Sequence, residues 1–203
     1  MFYLPVKNSD KPYQISPSKV LGLGLNYEDH VKESPTVNVK GLTREIPTEP
    51  IIFSKTPNAL IVSEESIVIP KILKEYGFEK IRVDYEAELA FIIKDKCKNV
   101  PKEKAYEHIL GFTCMNDVSE RNIQSADKSG WFRGKSFDTF GPIGPQIVLT
   151  EDIEDPQNLN ICCRLNGEER QNSNTKFMIF PIPEIVAFIS RNFTLYPGDI
   201  ITT

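Results

Sequence analysis

Long apolar runs, a basic excess and histidine are what this sequence has least of, and each shortage excludes something. No stretch approaches the roughly 18 apolar residues of a membrane-crossing helix, and the longest run, around Leu89 to Ile93, is strand-sized. A membrane is therefore not an expected partner. Basic side chains number 24 against 28 acidic ones, a net charge of −4, which is no surface for neutralising phosphates. Nucleic acid is excluded on the same ground. The four cysteines, Cys97, Cys114, Cys162 and Cys163, show no CxxC spacing, and the vicinal pair cannot easily close an ordinary disulfide. With no basic segment followed by a long apolar one at the N-terminus, the expected location is the cytoplasm. Gly22 and Gly24 lack the third glycine of a dinucleotide-binding turn, so that chemistry carries little weight.

What is present describes an ordinary folded domain. The chain has 203 residues, 40% of them hydrophobic and 26% charged, enough for one core, and no repeat divides it; a single domain over 1–203 is expected. Fifteen prolines favour turns and short strands over long helices. The fold class is α+β and β-rich. Strands are expected at Ser18 to Leu25, where Gly22 and Gly24 mark a close backbone approach, at Ile51 to Ser54, Ala59 to Val62, Ile67 to Ile69, Ile81 to Lys94, His108 to Asp117 and Ile200 to Thr203. Short helices are expected at Tyr27 to Glu33, capped by Asn26, at Val118 to Ser129, and at Pro183 to Asn192. Residues 34–50 are polar and aperiodic, as in a lid loop. Phe132 to Pro145 is crowded with Gly and Pro and reads as an irregular loop. Leu165-Asn166-Gly167-Glu168 carries a type I′ hairpin signal.

Four groups of residues could carry chemistry. Asp84, Glu86 and Glu88 alternate, so one strand would direct all three carboxylates to one face. On an exposed face they would be mere polar cover; the apolar continuation Ala90-Phe91-Ile92-Ile93 argues for a buried strand, where acids need a cation. Two carboxylates two residues apart can converge on one hard ion, and Asp117 is a candidate third ligand. Asp117 also opens the spacing Asp117-Val118-Ser119-Glu120 of a capping box, and either role suits it. An all-carboxylate set favours Mg²⁺, Mn²⁺ or Ca²⁺ over Zn²⁺. His30 and Glu33 share a helical face, either as a water-activating dyad or as a solvated surface pair. Arg121 and Gln124, three apart, could grip a substrate carboxylate, or simply be exposed. Lys135, in the Gly/Pro-rich stretch, could be aimed inward or lie on the surface. His108 reads as structural.

Together these segments resemble the fumarylacetoacetate hydrolase family, in its single-domain branch of acylpyruvate hydrolases and oxaloacetate decarboxylases. The resemblance rests on Gly24-Leu25-Asn26-Tyr27-Glu28-Asp29-His30, Asp84-Tyr85-Glu86-Ala87-Glu88-Leu89, Asn116-Asp117-Val118-Ser119-Glu120-Arg121, Lys135-Ser136-Phe137-Asp138 with Gly141-Pro142-Ile143-Gly144-Pro145, and Asn166-Gly167-Glu168 with Pro197-Gly198-Asp199-Ile200-Ile201. It implies a fold of several mixed β-sheets with few helices, and a divalent metal, Mg²⁺ or Mn²⁺, on Glu86, Glu88 and Asp117. It further implies His30 and Glu33 as the dyad and Lys135 beside the metal, with Arg121, Gln124 and Thr203 at the substrate. A lid at 34–50 and a homodimer are also implied. The family pattern has an acid where this chain has Asn122, and it continues beyond Thr203, so the chain is expected to lack its C-terminal end. The activity implied is hydrolysis of a carbon–carbon bond in an acylpyruvate-type β-diketo acid, giving pyruvate and a carboxylic acid, with oxaloacetate decarboxylation on the same site. Isomerase or tautomerase action on 2-oxo or 2-hydroxydienoic diacids, and metabolite binding without catalysis, are the competing readings.

Overall fold

The computed structural model describes residues 2–29, 46–126 and 131–203. Its first strands are β1 (Phe2–Leu4), β2 (Tyr13–Ile15), β3 (Val20–Gly24), β4 (Ile51–Lys55) and β5 (Leu60–Val62). Next come β6 (Val83–Asp84), β7 (Ala87–Ile93), β8 (Ile109–Asn116) and β9 (Ser119–Glu120). β10 (Gly141–Leu149), β11 (Asn160–Leu165), β12 (Glu168–Asn174) and β13 (Ile200–Thr202) complete the set. Among the described residues the α-helices are α1 (Arg121–Ala126), α2 (Phe132–Lys135) and α3 (Ile182–Asn192), and Glu28 and Asp29 are helical as well.

Apolar side chains on both faces of β7 make it a central strand. It lies in a seven-stranded sheet of order β4-β3-β13-β7-β8-β10-β5, parallel at β3/β13 and β5/β10 and antiparallel elsewhere. Phe91 and Ile93 face one core with Phe112 and the apolar stripe Ile185, Val186 and Ile189 of α3. Ala90 and Ile92 face the other, with Leu4, Ile143 and Ile147. Each buried Ile, Leu, Val or Phe side chain among these contributes roughly 1.5–3 kcal/mol. The carboxyl ends of β3, β8 and β13 and the amino end of β7 meet at one end of the sheet, where Gly24, Ala87, Asn116 and Thr203 come together.

The β-rich expectation holds, as does the hairpin: Asn166 and Gly167 have φ of 53° and 83°, the positive pair a type I′ turn needs. Several details differ. Ile67 to Ile69 is no strand; all three side chains are exposed and the Val68 N–H donates to Thr139 Oγ1 at 2.8 Å instead of entering a ladder. Phe132 to Pro145 is not a continuous loop: α2 opens it, and β10 takes in Pro142, opposite Ile61 of β5, and Pro145, which falls in a register shift between Gly144 and Val148. The helix expected from Val118 starts at Arg121, and its first turn is held by Glu120, whose Oε2 accepts the Ile123 N–H at 2.6 Å. Asn26 spends its amide on Phe180, accepting its N–H at 2.9 Å and donating to its carbonyl at 3.2 Å. What approaches Gly22 and Gly24 is aromatic and not backbone: a Cβ there would lie 2.1 Å from Phe53 and 2.2 Å from Trp131. His30, Glu33 and residues 34–45 of the expected lid fall outside the described residues; 46–50 form no helix or strand.

Candidate active site

The run of alternating acids does not lie on one unbroken strand. β6 ends at Asp84 and β7 starts at Ala87. At the break the Glu86 N–H donates to Asn116 Oδ1 at 3.0 Å, and the Asp117 N–H donates to the Glu86 carbonyl at 2.9 Å. These two bonds tie Glu86 to the end of β8, so residues 31 apart in sequence share one floor. Asp84 and Glu86 still meet the same group. Arg121 Nε donates to Asp84 Oδ2 at 2.7 Å, its Nη2 to Glu86 Oε1 at 2.8 Å and its Nη1 to Gln124 Oε1 at 2.9 Å. Three of the five guanidinium N–H groups are thereby used, and the Gln124 amide nitrogen is left to donate elsewhere.

Asp117 is 1% exposed and sits between two lysines. Lys135 Nζ contacts Asp117 Oδ2 and donates to Glu86 Oε2 at 2.6 Å. Lys55 Nζ lies 2.9 Å from Asp117 Oδ1 and donates to the Phe140 carbonyl at 2.8 Å. Asp117 therefore serves the acidic floor and not the helix start, which Glu120 takes. Burial works against the charge of Lys135, but Asp117 and Glu86 more than offset it and hold its pKa above the ordinary lysine value. For Lys55 burial wins despite Asp117, and its pKa is lowered.

Glu88 is the unbalanced member. Its Oε2 is closed to solvent and accepts no hydrogen bond among the described residues. Burial first, then the charges of Glu86 and Asp117, push its carboxyl well above the usual range; Lys135 and Thr202 only partly draw it back. A buried carboxylate oxygen without a donor, beside two more carboxylates, is a donor set that fits a hard divalent cation. Glu86, Glu88 and Asp117 do not each bring an oxygen within 4.8 Å of the other two; the grouping of that kind among the described residues is Asp95, Cys97 and His108, at the other end of β7 and β8. The ammonium of Lys135 lies between Glu86 and Asp117 instead.

Above this floor opens a cavity of about 320 Å³. Glu86, Glu88, Arg121, Gln124, Lys135 and Thr203 all line it, so the structure gathers every expected site residue that it describes, with Asp117 directly beneath. Thr203 is held by its N–H, which donates to the Leu89 carbonyl at 3.2 Å. Further lining comes from residues the sequence reading did not single out. Arg170 to Ser173 of β12 close one side, with Gln171 Oε1 accepting the Ala87 N–H at 2.9 Å. Phe53 and Trp131 close another, in edge contact at 5.6 Å between centroids, with Lys135 Nζ 4.6 Å from the Phe53 centroid. The Tyr27 phenol, beside Thr203 and Glu88, is kept neutral by burial, which raises its pKa. Lys55 was also missed; a lysine ending an apolar strand looks like surface until the fold places Asp117 on it.

The fold and this site define a class. Residues 19–203 match the model of the fumarylacetoacetate (FAA) hydrolase C-terminal family, and the chain belongs to that family. It is 52% identical over 190 residues to a protein of Methanocaldococcus jannaschii of uncharacterized function, covering 94% of this chain and 72% of that protein. It is 43% identical over 188 residues to the mitochondrial oxaloacetate tautomerase FAHD2A of Bos taurus, covering 92% of this chain but 55% of the relative. Among solved structures it resembles fumarylpyruvate hydrolase from Pseudomonas aeruginosa in complex with Mn²⁺ and pyruvate, at 27% identity and a TM-score of 0.82, covering 98% of this chain and 82% of the other. It also resembles 5-carboxymethyl-2-hydroxymuconate delta-isomerase from Mycobacterium smegmatis, at 37% identity and a TM-score of 0.76, covering 93% and 66%. No helix among the described residues is long and apolar enough to cross a membrane.

Proposed function

We propose that this chain is a divalent-metal-dependent enzyme acting on small 2-oxo acids, in reactions that develop negative charge on the 2-oxo oxygen. The observation that carries the reading is the buried, hydrogen-bond-free Glu88 Oε2 beside Glu86 and Asp117 at the floor of a polar cavity of about 320 Å³. Glu86, Glu88 and Asp117 would hold the cation, Mg²⁺ or Mn²⁺, whose contribution when bound is Lewis-acid polarisation of the 2-oxo group. Lys135, kept charged by its two carboxylate neighbours, offsets negative charge developing on the substrate oxygen. Gln124, oriented by Arg121, and the two guanidinium N–H groups that remain would hold the substrate carboxylate. Trp131, Phe53 and the β12 residues limit water access.

Keto–enol exchange or isomerisation needs these groups and no water adding to carbon: the proton leaving carbon would pass to water in the cavity, and one would return from it to the substrate. This agrees with the activities named for the bovine and M. smegmatis relatives. Hydrolysis of an acylpyruvate needs one more element. Water, deprotonated by His30 with Glu33 behind it, would add to the distal carbonyl. The carbon–carbon bond would then break with its electron pair on the pyruvate fragment, which takes up a proton. The presence of His30 and Glu33 three residues apart in sequence and the likeness to fumarylpyruvate hydrolase favour this second reading. The small 2-oxo acid, the homodimer and the cytoplasmic location belong to the proposal as well. The test is an assay of oxaloacetate enol decay and of pyruvate release from acetylpyruvate, with Mg²⁺ or Mn²⁺ and with chelator. Metal-dependent turnover of either supports the proposal; metal uptake without acceleration of either contradicts it. His30→Ala separates the two: it abolishes pyruvate release if hydrolysis occurs, and leaves enol decay intact.

A further inference from the structure

We propose that Asp95, Cys97 and His108 form a second metal site, for a borderline-soft divalent cation such as Zn²⁺, at the end of β7 and β8 remote from the cavity. One ligand atom from each of the three lies within 4.8 Å of the other two, and they are brought there by separate segments. Asp95 and Cys97 follow β7, and His108 immediately precedes β8.

The backbone holds this arrangement. The Lys94 N–H donates to the His108 carbonyl at 2.8 Å, closing the two segments on each other. Cys97 and Leu195 exchange both N–H bonds, each at 3.0 Å. His108 Nδ1 lies 2.6 Å from Asp95 Oδ1, a contact that already holds these two donor groups together and that an ion binding both would replace. The burial is graded: Cys97 is inside, His108 is partly covered, and Asp95 is exposed, which leaves a path for an ion from solvent.

Donor chemistry separates this site from the cavity floor. Sulfur, nitrogen and oxygen ligands select Zn²⁺ or Co²⁺, and an all-carboxylate set selects Mg²⁺ or Mn²⁺. The local charge is also permissive. Lys19, whose charge acts on Cys97, is already in contact with Asp199, and Lys96 lies over the Tyr196 ring at 5.8 Å. Burial, then Asp95 and Asp199, raises the Cys97 thiol to about 11, so the thiol keeps its proton in an ion-free protein. An incoming cation would displace that proton to solvent as the metal–sulfur bond forms. The seven residues of β7 put this site about 20 Å from the acidic floor.

The experiment is titration of the whole, metal-stripped, reduced chain with Co²⁺, read by the near-ultraviolet thiolate-to-cobalt absorption. One such site per chain is expected, unchanged in Glu88→Gln, displaced by stoichiometric Zn²⁺ and insensitive to Mg²⁺. Cys97→Ser should remove the band. His108→Asn, on a partly exposed side chain and with folding checked by circular dichroism, should weaken Co²⁺ binding about tenfold or more. No thiolate band in the folded chain, or a band that persists in Cys97→Ser, would overturn the assignment. The first result would leave an ion-free surface His–Asp pair beside a buried thiol.

Discussion

Lys135 Nζ donates to Glu86 Oε2 at 2.6 Å, a contact between a helix end and a strand break 49 residues apart in sequence. It makes the ammonium the element that keeps two buried carboxylates compatible in the ion-free chain. Lys135→Met should therefore cost about 3 kcal/mol of stability in chelator, because Glu86 and Asp117 lose their common partner. Urea unfolding measures it. A loss within the roughly 0.5 kcal/mol expected of surface substitutions would contradict the arrangement.

Glu88 sets a pH dependence. Its folded-state pKa is raised above the ordinary glutamate value, so the folded chain holds a proton that the unfolded chain has released. That contribution is complete below the unfolded pKa, near 4.3, and is lost as pH rises towards the folded pKa. Glu88→Gln should flatten this fall, leaving the ion-free variant more stable than the parent at neutral pH while weakening Mn²⁺ binding. Parallel stability curves for the two chains from pH 4 upward would contradict it.

Arg121 combines fixed bonds to Asp84, Glu86 and Gln124 that a lysine cannot reproduce. Arg121→Lys should raise KM for a 2-oxo acid about tenfold or more through the displaced Gln124, with a smaller effect on kcat. Steady-state kinetics with saturating metal checks the split; an unchanged KM counts against a substrate role for the pair.

Gly22 leaves room for Phe53, since a Cβ would come within 2.1 Å of the ring. Gly22→Ala should cost about 1–3 kcal/mol and disturb the Phe53 contact with Trp131 and Lys135. A melting temperature equal to the parent's would show that the ring yields freely.

How much of this could be read beforehand varies by residue. Glu86 and Glu88 left a trace as acids at spacing two, and Arg121 and Gln124 as a polar pair at spacing three. These residues, like Asp117 and Lys135, allowed bland readings too, and it was the family resemblance that drew all six to one site. The break at Tyr85 and Glu86 left none: the alternation runs through it, and only Asn116, from another strand, takes the Glu86 N–H out of the ladder. Lys55 and the β12 residues were not legible for a related reason. Their roles depend on contacts 62 and 84 residues away, to Asp117 and Ala87, which no local pattern encodes. Ile67 to Ile69 misled in the opposite direction, since β-branched residues make a strand only where a neighbouring edge is free to pair.

The central claim is that Glu86, Glu88 and Asp117 share one divalent cation. An anomalous difference map from crystals soaked with Mn²⁺ and oxalate tests it most directly. The account predicts one strong peak within coordination distance of all three carboxylates, with Lys135 Nζ moved off at least one of them. A peak that excludes Glu88, or an unchanged Lys135 bridge with no peak in the cavity, would contradict it.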